Sequence, residues 1–161
     1  MIKALYPGTF DPITLGHLDI IERACKMFDE VVIAVMHNPR KHCSFELDER
    51  LTMIKKCVAH LPNVKVIYSE DLTVKVAREL DCKVLVRGIR AVVDYEYELA
   101  QASANMMLDE DIETVFLVAK AKYSFLSSSV AKEVAMFGGD ITQMVPSVII
   151  DEVEERLRKL K

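Results

Sequence analysis

Val31-Val32-Ile33-Ala34-Val35 is apolar at every position. A strand with one wet face alternates polar and apolar residues, whereas one without a polar position has both faces covered, as in a parallel sheet between helix layers. Similar β-rich runs occur at residues 2–6, 64–68, 84–87 and 114–119, with 31–36 as the second in order. Helical spacing fills the intervals. Leu18, Ile21, Cys25 and Phe28 form one stripe, Leu47, Leu51, Ile54, Val58 and Leu61 another, and Tyr95, Leu99, Ala102 and Met106 a third, each able to cover a sheet face. The pattern predicts an α/β fold: a doubly wound, five-stranded parallel sheet with helices on both faces. Gly138-Gly139-Asp140 ends the fifth helix, and a charged C-terminal helix is predicted around residues 151–160. With no linker or internal repeat, residues 1–161 read as a single domain.

Composition removes several function classes. A formal net charge of −4 lacks the basic excess of a general nucleic-acid binder, so no nucleic acid is expected as a partner. No apolar run reaches the roughly 20 residues of a membrane span, and the first residues have no signal-peptide pattern, so a cytoplasmic location without membrane association is predicted. Cys25, Cys43, Cys57 and Cys82 are widely separated and lack paired C-x-x-C spacing, which points to reduced thiols; Cys25 and Cys57 fall in helical patterns as small buried hydrophobes. An anionic small substrate fits if positive charge gathers locally, and Arg40, Lys41, Arg87 and Arg90 are the basic residues nearest glycines or turns.

In a doubly wound sheet the first and fourth strands are neighbours, and a ligand crevice opens at their carboxyl ends. Four loops then share that edge: Pro7 to His17, Asn38-Pro39-Arg40-Lys41, Gly88-Ile89-Arg90 and Tyr123 to Ser129. The first reads Gly8-Thr9-Phe10-Asp11-Pro12-Ile13-Thr14-Leu15-Gly16-His17. Thr14 is a candidate N-cap, which puts His17 in a first helical turn where free N–H groups favour an anion. Gly8 would let the backbone approach a ligand, Thr9 offers a hydroxyl, and His17 is expected to add positive charge. Singly, these residues are ordinary turn and cap residues; together they describe a phosphate site.

The G-T-F-D-P-x-T-x-G-H run resembles the signature of the nucleotidyltransferase superfamily with its T/H-x-G-H element. Further stretches make the chain similar, over essentially its full length, to the bacterial phosphopantetheine adenylyltransferase family. They are residues 38–50, Val86-Arg87-Gly88-Ile89-Arg90-Ala91, Asp94-Tyr95-Glu96-Tyr97-Glu98 and Ser124-Phe125-Leu126-Ser127-Ser128-Ser129. The resemblance implies a Rossmann-like domain that transfers the adenylyl group of ATP to 4′-phosphopantetheine, giving dephospho-CoA and pyrophosphate, with Mg²⁺ and without a covalent enzyme intermediate. It also implies a homohexamer and feedback by coenzyme A.

By the same resemblance, His17 is the catalytic residue, bonding the α-phosphate. Thr9 and Phe10 touch both ligands; Lys41 and Arg87 grip the phosphate of phosphopantetheine, and Thr73 meets its pantetheine arm. Gly88, Ile89, Arg90 and Glu98 hold ATP, as do Tyr123, Ser124, Phe125, Leu126, Ser127, Ser128 and Ser129, with Tyr123 where relatives often have tryptophan. Locally, the Asp94/Glu96/Glu98 run looks like the wet face of a helix, Arg40 like a solvated loop residue, and Ser127 like an N-cap. No carboxylate cluster suggests an all-protein metal cage, so no metal ligand is named and Mg²⁺ is expected to arrive on ATP. Two alternatives share the first loop: a sibling nucleotidyltransferase with another phosphate acceptor, and a non-catalytic nucleotide sensor. A dehydrogenase is disfavoured by the absence of G-x-G-x-x-G.

Overall fold

The computed structural model describes residues 1–158. Strands β1 (Lys3–Gly8), β2 (Glu30–Met36), β3 (Val64–Ser69), β4 (Val84–Ile89) and β5 (Glu113–Val118) alternate with helices α1 (Leu15–Met27), α2 (Leu47–Cys57), α3 (Thr73–Glu79), α4 (Val92–Leu108) and α5 (Ser128–Met136). Helix α6 spans Ile150–Arg158; the predicted continuation to Leu160 lies outside the described residues. All pairings are parallel and the order is β3-β2-β1-β4-β5, the doubly wound arrangement with β1 beside β4.

Period-two alternation divides the apolar side chains between two faces. Ala4, Tyr6, Val31, Ile33 and Val35 join Ile20, Ile21, Met53, Ile54, Ala131, Val153 and Leu157, so α1, α2, α5 and α6 cover one face. Leu5, Val32, Ala34 and Leu85 face the other way, against Val74, Val76 and Ala77 of α3. The second cluster is the smaller, and the expectation for α4 fails there. Tyr95, Leu99 and Met106 of the predicted core stripe are about half exposed, and Glu98 is the buried residue of that helix. Only part of α4 meets β4 and β5, with the Tyr95 ring edge-on to Phe116 at 6.1 Å.

Two strands run further than predicted. Strand β1 continues through Pro7 and Gly8, and β4 through Gly88 and Ile89, so those residues belong to the sheet rather than to the following loops. Yet β1 and β4 pair only at Ala4↔Val84 and Leu5↔Leu85, while β1 stays paired with β2 to Gly8↔Val35 and β4 with β5 to Ile89↔Val118. The two central strands therefore part at their carboxyl ends. Pro7, which has no N–H to give a ladder, occupies the parted stretch, and its carbonyl accepts from Arg87 Nη1 across the gap.

Among the described residues no helix is long and apolar enough to cross a membrane. Ile33 is fully buried in the middle of β2. Ile33→Ala is expected to lower unfolding stability by about 2–5 kcal/mol, read as a shift of the urea midpoint at constant slope.

Candidate active site

A cleft of about 520 Å³ lies where β1 and β4 part. Its wall is built from the ends of β1 and β4, the first turn of α1, the loop after β2 and the start of α5. Of the predicted residues, Thr9, Phe10, His17, Lys41, Arg87, Gly88, Arg90 and Glu98 line it, as do Tyr123, Leu126, Ser127, Ser128 and Ser129. Ile89, Thr73, Ser124 and Phe125 do not. Ile89 is the last residue of β4, Thr73 opens α3, Phe125 is exposed, and the Ser124 hydroxyl donates to the Ala121 carbonyl at 2.8 Å.

Helix α1 begins as predicted, with Thr14 as N-cap, and its third residue His17 completes a capping box. The Thr14 N–H donates to His17 Nδ1 at 3.0 Å, and the His17 N–H donates to the Thr14 hydroxyl at 3.3 Å. An Nδ1 that accepts a backbone N–H carries no proton, so the neutral ring is protonated at Nε2, its remaining donor. Burial, reinforced by the charges of Arg87, Arg90 and Lys41, holds the His17 pKa down at about 3. The expected positive charge on His17 is thus absent, and Arg87, Arg90 and Lys41 supply the positive charge of the cleft. Phe10 presses its ring on His17 at 5.0 Å and on Tyr6 at 5.4 Å, both edge-on. Phe10 has φ 50°, an uncommon conformation for a bulky residue, and the neighbouring Thr9 carbonyl is held by Arg50 Nη1 at 2.9 Å.

The glycines of the cleft have packing reasons. A Cβ at Gly8 would stand 2.9 Å from the Phe10 ring, and one at Gly88 would press on Ile20 of α1 at 3.3 Å. Gly8 makes room for Phe10, and Gly88 lets α1 lie close to β4.

Glu98 is not on a wet face. It is buried, and its carboxylate receives Arg87 in a fork, Nε at 2.8 Å and Nη2 at 2.7 Å. Burial works against the Arg87 charge, but the bonds and charge of Glu98 prevail and its pKa is raised. Asp94 holds Arg90 through Nε at 3.0 Å and Nη2 at 3.2 Å, while Arg90 Nη1 donates to the Leu126 carbonyl at 2.6 Å. Burial would raise the Asp94 pKa, yet the bonds and charge of Arg90 lower it. Arg90 thereby ties the start of α4 to the loop before α5. At the end of that loop Ser127 caps α5, its hydroxyl accepting the Val130 N–H at 3.1 Å, and Ser128, the first residue of α5, donates to the Pro12 carbonyl at 2.7 Å.

Sequence reasoning passed over Lys132 and Asp11. Lys132 lines the cleft one helical turn beyond Ser128 and Ser129, a spacing that could have placed it there. Its ammonium pairs with Asp11 Oδ2 at 2.7 Å. Among the described residues, the cleft cations Arg87, Arg90 and Lys132 each have a carboxylate, and Lys41 has none. Cys43, exposed, also lines the cleft, whereas burial pushes the thiols of half-buried Cys25 and buried Cys57 up to about 11 and about 12, where they are poor nucleophiles. No group of three or more His, Cys, Asp or Glu side chains able to hold a metal occurs among the described residues.

The low pKa of His17 links acid to stability. Between about 3 and 6.5 the unfolded chain binds a proton at His17 that the folded protein refuses, so this contribution is complete above 6.5 and is lost as the pH falls towards about 3. His17→Gln is expected to flatten the fall of the urea midpoint between pH 6.5 and 4.5; parallel pH profiles for the two proteins would refute the assignment.

Comparison with known proteins places this architecture. The cytidylyltransferase-like family profile matches residues 5–134. A phosphopantetheine adenylyltransferase of Finegoldia magna is 49% identical over 154 residues, covering 96% of this chain and 95% of the relative. One from Synechococcus elongatus is 53% identical over 146 residues, covering 91% and 88% respectively. Among solved structures, one from Vibrio parahaemolyticus described as a nicotinate-nucleotide adenylyltransferase superposes with a TM-score of 0.70 at 20% identity, covering 97% of this chain and 96% of its own, a likeness of fold alone. The family profile over residues 5–134 and near-full-length identity of about one half lead to one conclusion: the chain belongs to the cytidylyltransferase-like family and, within it, to the phosphopantetheine adenylyltransferases.

Proposed function

We propose that this protein transfers the adenylyl group of ATP to 4′-phosphopantetheine, releasing pyrophosphate and forming dephospho-CoA for coenzyme A biosynthesis. The carrying observation is the near-full-length identity of about one half to phosphopantetheine adenylyltransferases, joined to a cleft lined by cations and hydroxyls. In the reaction a phosphate oxygen of the acceptor bonds to the α-phosphorus while the bond from that phosphorus to the bridging oxygen of pyrophosphate breaks. No proton has to move for this exchange, so the protein's tasks are alignment and stabilisation of charge.

His17 suits the second task as a neutral donor. The capping box fixes its ring and leaves Nε2–H for an oxygen of the α-phosphate, a bond that strengthens as charge develops there. Lys41, which pairs with no carboxylate among the described residues, and Arg87 receive the acceptor phosphate; Arg90 and the N-terminus of α5 with Ser127, Ser128 and Ser129 receive the phosphates of ATP. Glu98, assigned to ATP by resemblance, acts instead through Arg87, whose fork it orients. The cleft acids Asp11, Asp94 and Glu98 are already engaged by cations, a donor set that fits Mg²⁺ arriving as part of the Mg·ATP substrate and keeping its own waters.

Three further features belong to this reading. Assembly into a homohexamer is supported in kind by exposed apolar residues along α4, Val92, Val93, Tyr97, Met107 and Leu108; the number six rests on the family resemblance. Feedback by coenzyme A follows from its carrying both the pantetheine arm and the adenylate that the cleft accepts. A cytoplasmic location suits an enzyme of these substrates.

The test is pyrophosphate release from ATP with 4′-phosphopantetheine, nicotinamide mononucleotide and glycerol 3-phosphate as acceptors. Release with phosphopantetheine alone is expected; release only with another acceptor, or with none, would replace the reading by the sibling enzyme or the sensor. His17→Ala should lower turnover by roughly 10²-fold or more with the fold retained. Neutralising Lys41 or Arg87 should weaken phosphopantetheine binding more than ATP binding in calorimetric titrations, and the opposite selectivity would reverse their assignment.

A further inference from the structure

The position of Lys41 depends on how its segment is fastened, because residues 37–43 lie outside the strands and helices. Upstream, the His37 N–H donates to the Ser69 carbonyl at 3.0 Å. Downstream, one carboxylate does the fastening. Asp11 Oδ2 accepts the Ser44 N–H at 2.9 Å, Oδ1 accepts the Phe45 N–H at 2.9 Å, and Lys132 Nζ reaches Oδ2 at 2.7 Å. Asp11 is only 5% exposed and Phe45 only 3%. From the opposite side Arg156 of α6 donates to the Ser44 carbonyl at 3.1 Å and lies over the Phe45 ring at 5.7 Å. The clasp thus begins three residues after Lys41, and its carboxylate lies two residues after Thr9 and six before His17 in chain order.

We propose that Asp11 is a positioning residue: it clasps the Ser44-Phe45 end of the Lys41 segment to the His17 loop and so fixes the distance between the acceptor's cation and the catalytic imidazole. Its charge is spent on two amides and an ammonium, which suits it to holding protein rather than phosphate. An amide in its place can accept at only one atom, so Asp11→Asn cannot satisfy both N–H groups and Lys132 together. The proposal rests on Lys41 serving the acceptor phosphate, and the test separates the two ideas.

ATP and 4′-phosphopantetheine are titrated separately into the wild-type protein, D11N, K41Q and the double variant, each checked for a cooperative thermal transition. D11N is expected to weaken phosphopantetheine about tenfold, the scale of one lost charge-assisted bond, and ATP by less than about threefold. In the K41Q background the same substitution should cost less than about twofold, because the cation it positions has gone. Undiminished acceptor affinity in K41Q would remove the role of Lys41 and the proposal with it. An effect of D11N as large in the K41Q background as in the wild type, no effect, or equal loss of both ligands would overturn the positioning role alone. If D11N does not fold, R156Q loosens Ser44 from outside the cleft; it should weaken phosphopantetheine about threefold and leave ATP unchanged, and unaltered acceptor affinity there would overturn the proposal.

Discussion

The parting of β1 from β4 after two residue pairs is the constraint on which the rest of this molecule depends. Two central strands that separate leave backbone groups without a ladder, and unpaired buried groups are costly. Here Pro7 has no N–H to leave unpaired, and its carbonyl takes Arg87 from the opposite strand. Arg87 therefore bridges the sheet where the sheet stops, and Glu98 is buried because that guanidinium must be oriented and balanced. The gap so stabilised is the cleft, and residues that follow β1 and β4, among them Thr9, Phe10, Asp11 and Arg90, line it.

Charge in the cleft is arranged on the same principle. Arg87, Arg90 and Lys132 are partly accessible at the cleft wall, and each is paired with a carboxylate: Glu98 and Asp94 on α4, Asp11 on the first loop. Each pair also joins two parts of the wall. Burial, reinforced by the charges of Arg87, Arg90 and Lys41, keeps His17 neutral, while the capping box decides which nitrogen holds its proton. A neutral, oriented Nε2–H among fixed cations is a preorganised donor, suited to charge that grows on phosphoryl oxygens rather than to proton transfer.

Much of this was legible from residue patterns because short-range rules produced it. The all-apolar β2 reports two covered faces, and Thr14 with His17 at the next turn reports a cap; both depend on a few neighbouring residues. The misreadings share the opposite cause. Tyr95, Leu99 and Met106 have the spacing of a buried stripe, but α4 overhangs the smaller core cluster and only part of it reaches the sheet. Asp94, Glu96 and Glu98 look alike along a helix; only the first and last meet an arginine brought in by β4. Strand ends were misplaced at Gly8 and Ile89 because glycine and proline signal turns locally, whereas here they lie in strands whose pairing continues on one side.

Sequence by itself determined the α/β class, the adjacency of the first and fourth strands, the helix start capped by Thr14 and the family, since hydrophobic period, capping and contiguous motifs are written in neighbouring residues. Tertiary structure alone decided that His17 is uncharged, that Glu98 serves Arg87, and that Asp11 joins Lys132 to the amides of Ser44 and Phe45. Those facts depend on burial and on partners 11 to 121 positions apart, and a side chain's charge and bonds are set by what surrounds it in space.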